Sequence, residues 1–466
     1  MKNRYQISLV MITVSVLISS CSSAGPKENG IEQPIERTPD VTSSPATQPT
    51  AISEIPFRID ASCWPVKLLP EGNEITGSMV FAYFPQKEVV ISEEDNEYLL
   101  PPGKYQINTT ETNEIFAWDI SSFHGMPINT GFMVEISEEG YVSPDGKYIA
   151  MISGKNLILI SPDGQQTFPL SHENIVIQAF LPDGRISLVD GIKSSFQKEE
   201  VTDVYYILNP ISGEMTKHSV LLPNIEEDFG RIQYSPDMKF VLYKSVPKGD
   251  GMEFTLYDLE RNEVVWVGPP RDANLKYPAH GIPVWRPGSS MLTTLYWNEN
   301  GHNYYSISLA GKVSPLTSFT DAYLLTTATN LWGWGFDAQS PNWSPSGRYL
   351  VSAGLNINST SMYIWDDTEK VVYKPCLPNE EHRHSTVFQW MHWSYDGSYI
   401  WVGVRFSPTS TATDVFSPSE IDITYILDLD HKIIYQLPDE SNNPEYYVLN
   451  GERYNKILGW VNWEIP

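Results

Sequence analysis

The side chains best suited to recognition lie in two segments, 331–339 and 381–386. The first holds Trp332, Trp334 and Phe336, with Asp337 and Gln339 beside them. Flat apolar rings of this kind stack on a sugar or anchor a peptide, and the two polar groups would fix the orientation. The second holds Arg383 and His384, a cation and a proton-exchanging ring next to Glu381. The competing reading is that the three rings plug a channel or cover a sheet edge, because loops often pack their own side chains. His382, His384 and His392 invite a metal reading, since ligands two apart on a strand share a face. No second ligand cluster supports it, so a solvated polar loop is expected and no metal.

Catalytic signatures are weak. No Gly-x-Ser-x-Gly elbow occurs, and nothing is left over for a separate hydrolase domain. Ser195 and Lys198 match Ser-x-x-Lys in a polar stretch without partner motifs. Ser394–Asp396 with Gly397 suggests a sialidase Asp-box, but Gly397 follows Asp396 directly and the other repeats do not support that motif. The pairs Asp366/Asp367 and Asp428/Asp430 read as hairpin formers. No Asp-rich calcium loop is present, and no catalytic residue or cofactor is assigned.

These segments interrupt a repeat. Val142-Ser143-Pro144-Asp145-Gly146 recurs around Pro182, Pro236, Pro287, Pro345 and Tyr395, at intervals between 38 and 58 residues. Pro presets φ at the first central turn position, Asp bonds the neighbouring backbone, and Gly supplies φ > 0. An aromatic or aliphatic run follows, such as Tyr148 to Ile152, then a second signature such as Tyr363-Ile364-Trp365-Asp366. Each unit therefore holds four short strands. A period of this size with no long amphipathic helix indicates an all-β fold, a β-propeller of seven blades with its ring closed by the C-terminal strand. A β-sandwich array competes but needs more strands per period, and six or eight blades remain open. Blade one is placed at 64–135, where the turn motif is missing. Leu181 in blade three, Arg286 in blade five and Tyr395 in blade seven depart from the motif; they are expected to weaken those turns but keep the strand order.

Turns of this kind followed by an aromatic and aliphatics resemble the repeats of TolB-type propellers, also called WD40-like or PD40 repeats, over about 138–437. The resemblance implies the fold and leaves function open. By analogy with propellers, the short turns belong to one face. The long connections belong to the other: 191–203, 331–339, 381–386 and 407–419.

The N-terminus supplies an address. Lys2 and Arg4 precede an apolar run, Ile7 to Ile18, too short to span a membrane, and Ile18-Ser19-Ser20-Cys21 follows. This resembles the bacterial lipobox, whose cysteine is lipidated and becomes the new N-terminus. The expected organisation is a signal peptide at 1–20, a lipidated Cys21 with a Ser/Thr/Pro-rich tether at 21–56, and a propeller at 57–466. The expected location is outside the cytoplasm, on the cell membrane or outer membrane. Cys63 and Cys376 could pair there; two buried thiols are the alternative. The net charge of −26 disfavours nucleic acid and anionic lipid. A monomer is expected, binding a protein, peptide or cell-envelope glycan at the long-loop face without catalysis. An envelope polysaccharide or peptide hydrolase or lyase, acting from the channel mouth, is the alternative.

Overall fold

A computed structural model describes residues 58–464, apart from 92–102, 110, 136–139, 172, 191–197, 226–231, 246–252, 269–282, 299–300, 318–341, 357–358, 378–384, 408–420 and 438–452. Among the described residues every regular element is a strand, and the strands form seven four-stranded blades. Blade 2 shows the unit: Tyr141–Val142, Ile149–Ser153, Asn156–Ser161 and Gly164–Pro169 pair antiparallel in that order. Its two middle strands are apolar on both faces because a neighbouring blade covers each face. Ala150, Leu157 and Leu159 pack on blade 3, and Ile149, Met151, Ile158 and Ile160 on blade 1. The outer strand Gly164–Pro169 is largely exposed. Such two-sided burial explains why these strands read as continuous apolar runs rather than alternating ones.

Seven apolar clusters fill the seven interfaces between successive blades, including the one between blades 7 and 1. That closing interface rests on tryptophans. Trp401 of blade 7 meets Trp118 edge-on at 5.6 Å and Trp460 at 6.4 Å. Trp460 lies on the C-terminal strand Arg453–Val461, which pairs antiparallel with Ser78–Ile91 as the innermost strand of blade 1. The C-terminal strand thus closes the ring by completing blade 1, as the sequence indicates.

Four of the repeat turns are six-residue units with a serine as the hub. Ser143 Oγ donates to Asp145 at 2.8 Å and accepts from Tyr148 N at 3.0 Å, while Gly146 N donates to Ser143 O. The units at Ser235 and Ser394 repeat this pattern, and at Ser344 a serine, Ser346, replaces the Asp. Met238 takes the left-handed glycine position with φ 58°. Gly347 cannot be exchanged so simply: a Cβ there would lie 2.5 Å from Pro287 O of the neighbouring turn. The departures at Arg286 and Tyr395 keep the strand order, as expected. Arg286 N bonds Met291 O, Ser394 N bonds Tyr399 O, and the backbone closes both hairpins.

The aromatic residue ahead of the turn serves the ring rather than the turn. Tyr234 Oη, Trp285 Nε1, Trp343 Nε1 and Trp393 Nε1 each donate to the preceding blade, to Asp203, Gln233 O, Thr293 and Asn342. Four successive interfaces are keyed in one direction, which fixes how neighbouring blades slide and tilt.

Blade 1 begins later than expected. Residues 58–68 leave it and run along the outside of its neighbours. Arg58–Asp60 adds a fifth strand, parallel, to the outer edge of blade 6, and Val66–Leu68 does the same for blade 7. Between them Cys63 is disulfide-bonded to Cys376, and Trp64 packs edge-on against Tyr373 at 5.9 Å. Three-residue strands carry too little pattern to announce themselves; their partners fix them.

Candidate functional site

The strand directions define two faces. Within blades 2 to 7 the first and second strands, and the third and fourth, are joined at one end of the sheet. The turns at that end touch across blades: Gly146 of blade 2 lies against Tyr395 of blade 7 and Asn462 of blade 1, and Gly397 against Ser344 and Ser346 of blade 6. Their convergence puts all these short turns on one face, around the axis. The strands bounding 318–341, 378–384 and 408–420 end at the opposite face.

The short-turn face is occupied by its own polar groups. The aspartates ahead of the outer hairpins cap the turn that follows: Asp258 accepts from Glu260 N and Arg261 N, Asp366 from Thr368 N and Glu369 N, and Asp428 from His431 N. Asp366 and Asp428 are turn formers, as read from the sequence; Asp367 and Asp430 lie in the same turns with their carboxylates turned to other partners. They also hold cations. Arg348 bridges Asp366 at 2.9 Å and Asp430 of blade 7 at 2.7 Å, and Arg286 of blade 5 reaches Asp367 of blade 6 at 2.7 Å. The carboxylates, above all Asp366, push the Arg348 guanidinium further up from its ordinary range. Arg286 looked like a defect in the motif; it is a strut between blades. Its signal in the sequence is a cation replacing a turn serine, with a second aspartate, Asp367, one blade on.

The interruption 191–203 is shorter than it looked. Residues 198–203 already belong to the strand Lys198–Leu208, paired with Met215–Ile225, and only its end is polar. Asp203 is fully buried there and accepts a 2.5 Å hydrogen bond from Tyr234. Burial first, then the Asp203 charge, raises the Tyr234 pKa, so the phenol stays a donor. Tyr205 stacks on His218 at 4.9 Å and leans on Tyr234 at 4.5 Å, completing a seam between blades 3 and 4. Tyr234→Phe is expected to cost about 1–3 kcal/mol, because a buried carboxylate loses a donor that water cannot replace. Urea unfolding of Tyr234→Phe beside Tyr234→Phe/Asp203→Leu checks this. The second change should recover part of the loss.

His392 lies on the innermost strand of blade 7, Ser385–Trp393, in register with Trp401. Burial, with Lys456 of the closing strand adding to it, lowers its pKa to about 4. The folded-state value lies below that of a free imidazole, so the unfolded chain takes up the proton first as pH falls. The contribution is complete above pH about 6.5 and is lost progressively toward pH about 4. His392→Gln should flatten the fall in melting temperature across that window relative to the unaltered chain, with little change at neutral pH. Among the described residues no group of three or more metal-binding side chains occurs.

Cys21, Trp332, Trp334, Phe336, Asp337, Gln339, His382, Arg383 and His384 lie outside the described residues. For 318–341 and 378–384 the described strands on either side end at the face opposite the short turns.

No protein-family model matches the chain, and no curated protein matches it. Solved structures do match in fold. TolB from Acinetobacter baumannii is 13% identical, with a TM-score of 0.33, over 76% of this chain and 79% of that one. The β-propeller domain of the Trilobed protease from Pyrococcus furiosus is 10% identical, with a TM-score of 0.41, over 77% and 96%. An oligogalacturonate lyase in complex with manganese is 10% identical, with a TM-score of 0.37, over 78% and 86%. At these values the likeness concerns fold alone. The seven-bladed ring stands on the strand pairing above.

Proposed function

We propose that this chain is a membrane-anchored, extracytoplasmic binding or scaffold module. Its propeller presents the long-loop face to a protein, a peptide or a cell-envelope glycan. The observation that supports this most is the contrast between faces. The short-turn face spends its aspartates on turn caps and inter-blade ion pairs. The strands of the opposite face open into the segments that hold Trp332, Trp334, Phe336, Asp337, Gln339, Arg383 and His384. The Cys63–Cys376 bridge supports an oxidising compartment, and so an exported chain. Anchoring is assigned to a lipid on Cys21, with the segment up to residue 56 as a tether. We assign no catalytic group.

The test is capture of envelope proteins and glycans by the full chain and by Trp332→Ala/Trp334→Ala, with thermal melts showing that both are folded. Loss of one rigid aromatic anchor commonly costs about 2 kcal/mol or more of binding. The double variant should therefore retain little of what the unaltered chain captures. Equal capture by both would remove the aromatic segment from the site.

A further inference from the structure

A propeller exposes one sheet edge per blade, and each such edge offers unpaired N–H and C=O groups to any passing strand. Six of the seven blades guard theirs. The outer strands of blades 1, 2, 3 and 5 carry Pro127, Pro169, Pro223 and Pro315, and a proline removes a ladder donor. The outer strands of blades 6 and 7 are covered by Arg58–Asp60 and Val66–Leu68. Blade 4 differs. Its outer strand, Glu263–Gly268, contains neither proline nor lysine, and nothing pairs with its outer edge among the described residues. Val264, Val265 and Val267 are 42%, 38% and 47% exposed. Three β-branched apolar side chains on an open edge form an accepting surface for a strand.

We propose that this edge is a docking site for an extended segment of a partner protein, added parallel to Glu263–Gly268. The chain itself shows the mode and the chemistry. Twice it lays a short strand parallel to the outer strand of a blade. In blade 7 the backbone joins the pair, Ile434 N to Pro65 O at 3.0 Å and Leu69 N to Gln436 O at 2.8 Å. Each added strand couples a basic residue, Arg58 or Lys67, to apolar ones, Ile59 or Val66 and Leu68. The partner segment is accordingly short, apolar at alternate positions and basic, which also suits a chain with a net charge of −26. A second copy is disfavoured by the same charge, and by a strand of six residues, which buries too little surface for a stable dimer. The site lies on the outer rim, apart from the long-loop face, and does not depend on the function proposed above.

The probe is a synthetic peptide of residues 57–69 carrying C63S, which holds both strand-adding sequences. It is added at millimolar concentration to the full chain in detergent. Amide exchange at 263–268 should slow about tenfold, the scale of one net hydrogen bond gained. V267K, which places a lysine on the edge, should abolish the slowing without moving the thermal transition. Exchange at 371–373 and 433–436 should not change, because the chain's own strands hold those edges. The proposal is overturned if 263–268 is not slowed, or if V267K leaves the slowing intact. Slowing confined to blades 6 and 7 overturns it too, as does a dimer of the full chain that V267K dissolves.

Discussion

A chain ending at Gly451 should lose its cooperative unfolding transition. The truncation removes Arg453–Val461, the innermost strand of blade 1, and with it one side of the ladder to Ser78–Ile91. Leu458, Trp460, Val461 and Trp463 are buried to within 3% of complete, and they divide between the clusters that blade 1 shares with blades 7 and 2. Two interfaces of the ring therefore open together. Removing a single buried tryptophan side chain costs about 3–5 kcal/mol. A domain's whole stability is of order 5–15 kcal/mol, so the loss of two such tryptophans, two buried aliphatic residues and a strand exceeds what the rest can carry. The strand also seats the neighbouring turn, through Trp463 Nε1 to Lys147 O at 2.9 Å and Asn462 N to Gly146 O at 2.9 Å. Calorimetry of the full and truncated chains checks this. A truncated chain melting within a few degrees of the full one would show that the C-terminal strand does not close the ring.

Removing the disulfide is the second large effect. The bridge joins Cys63 and Cys376 across 313 residues of sequence and pins the outer strand of residues 58–60 to blade 6. Long loops gain most from such constraint. Cys63→Ser/Cys376→Ser should lose about 2–4 kcal/mol, read as a lower guanidinium midpoint. The unaltered chain should fall to the same midpoint under reductant, and the double variant should ignore reductant. A reductant effect that persists in the double variant would place the stabilisation elsewhere. The ring has two closures of different kinds: an inner one made by packing the last strand, and an outer one made by covalent and edge contacts of the first.

How much of this could be read from the sequence follows from how each contact is made. The repeat turn is local: serine, aspartate and a left-handed residue satisfy one another within six positions, so the motif announced all but one of the blades. Blade 1 lacks the motif because its first two strands, Arg453–Val461 and Ser78–Ile91, come from distant parts of the chain and no hairpin joins them, which no local pattern can show. Strands Arg58–Asp60 and Val66–Leu68 escaped for a similar reason. Three residues cannot display a period, and their parallel partners lie more than 300 positions away. Arg286 was legible as unusual but not as useful, since its partner Asp367 belongs to another blade. Buried Asp203 was hidden in a polar stretch whose strand character depends on its pairing with Met215–Ile225. Of the candidate site, the sequence supplied the residue types and the fold supplies the face. The repeat is scaffold, and the proposed function assigns recognition to its interruptions on one side.

The most direct measurement is a cross-linking footprint of whatever the full chain captures. Cross-links are predicted to fall at 331–339 and 381–386, with neighbours in 408–420. Cross-links confined to the short turns around Ser143, Ser344 and Ser394 would contradict the assignment of faces and the function proposed from it.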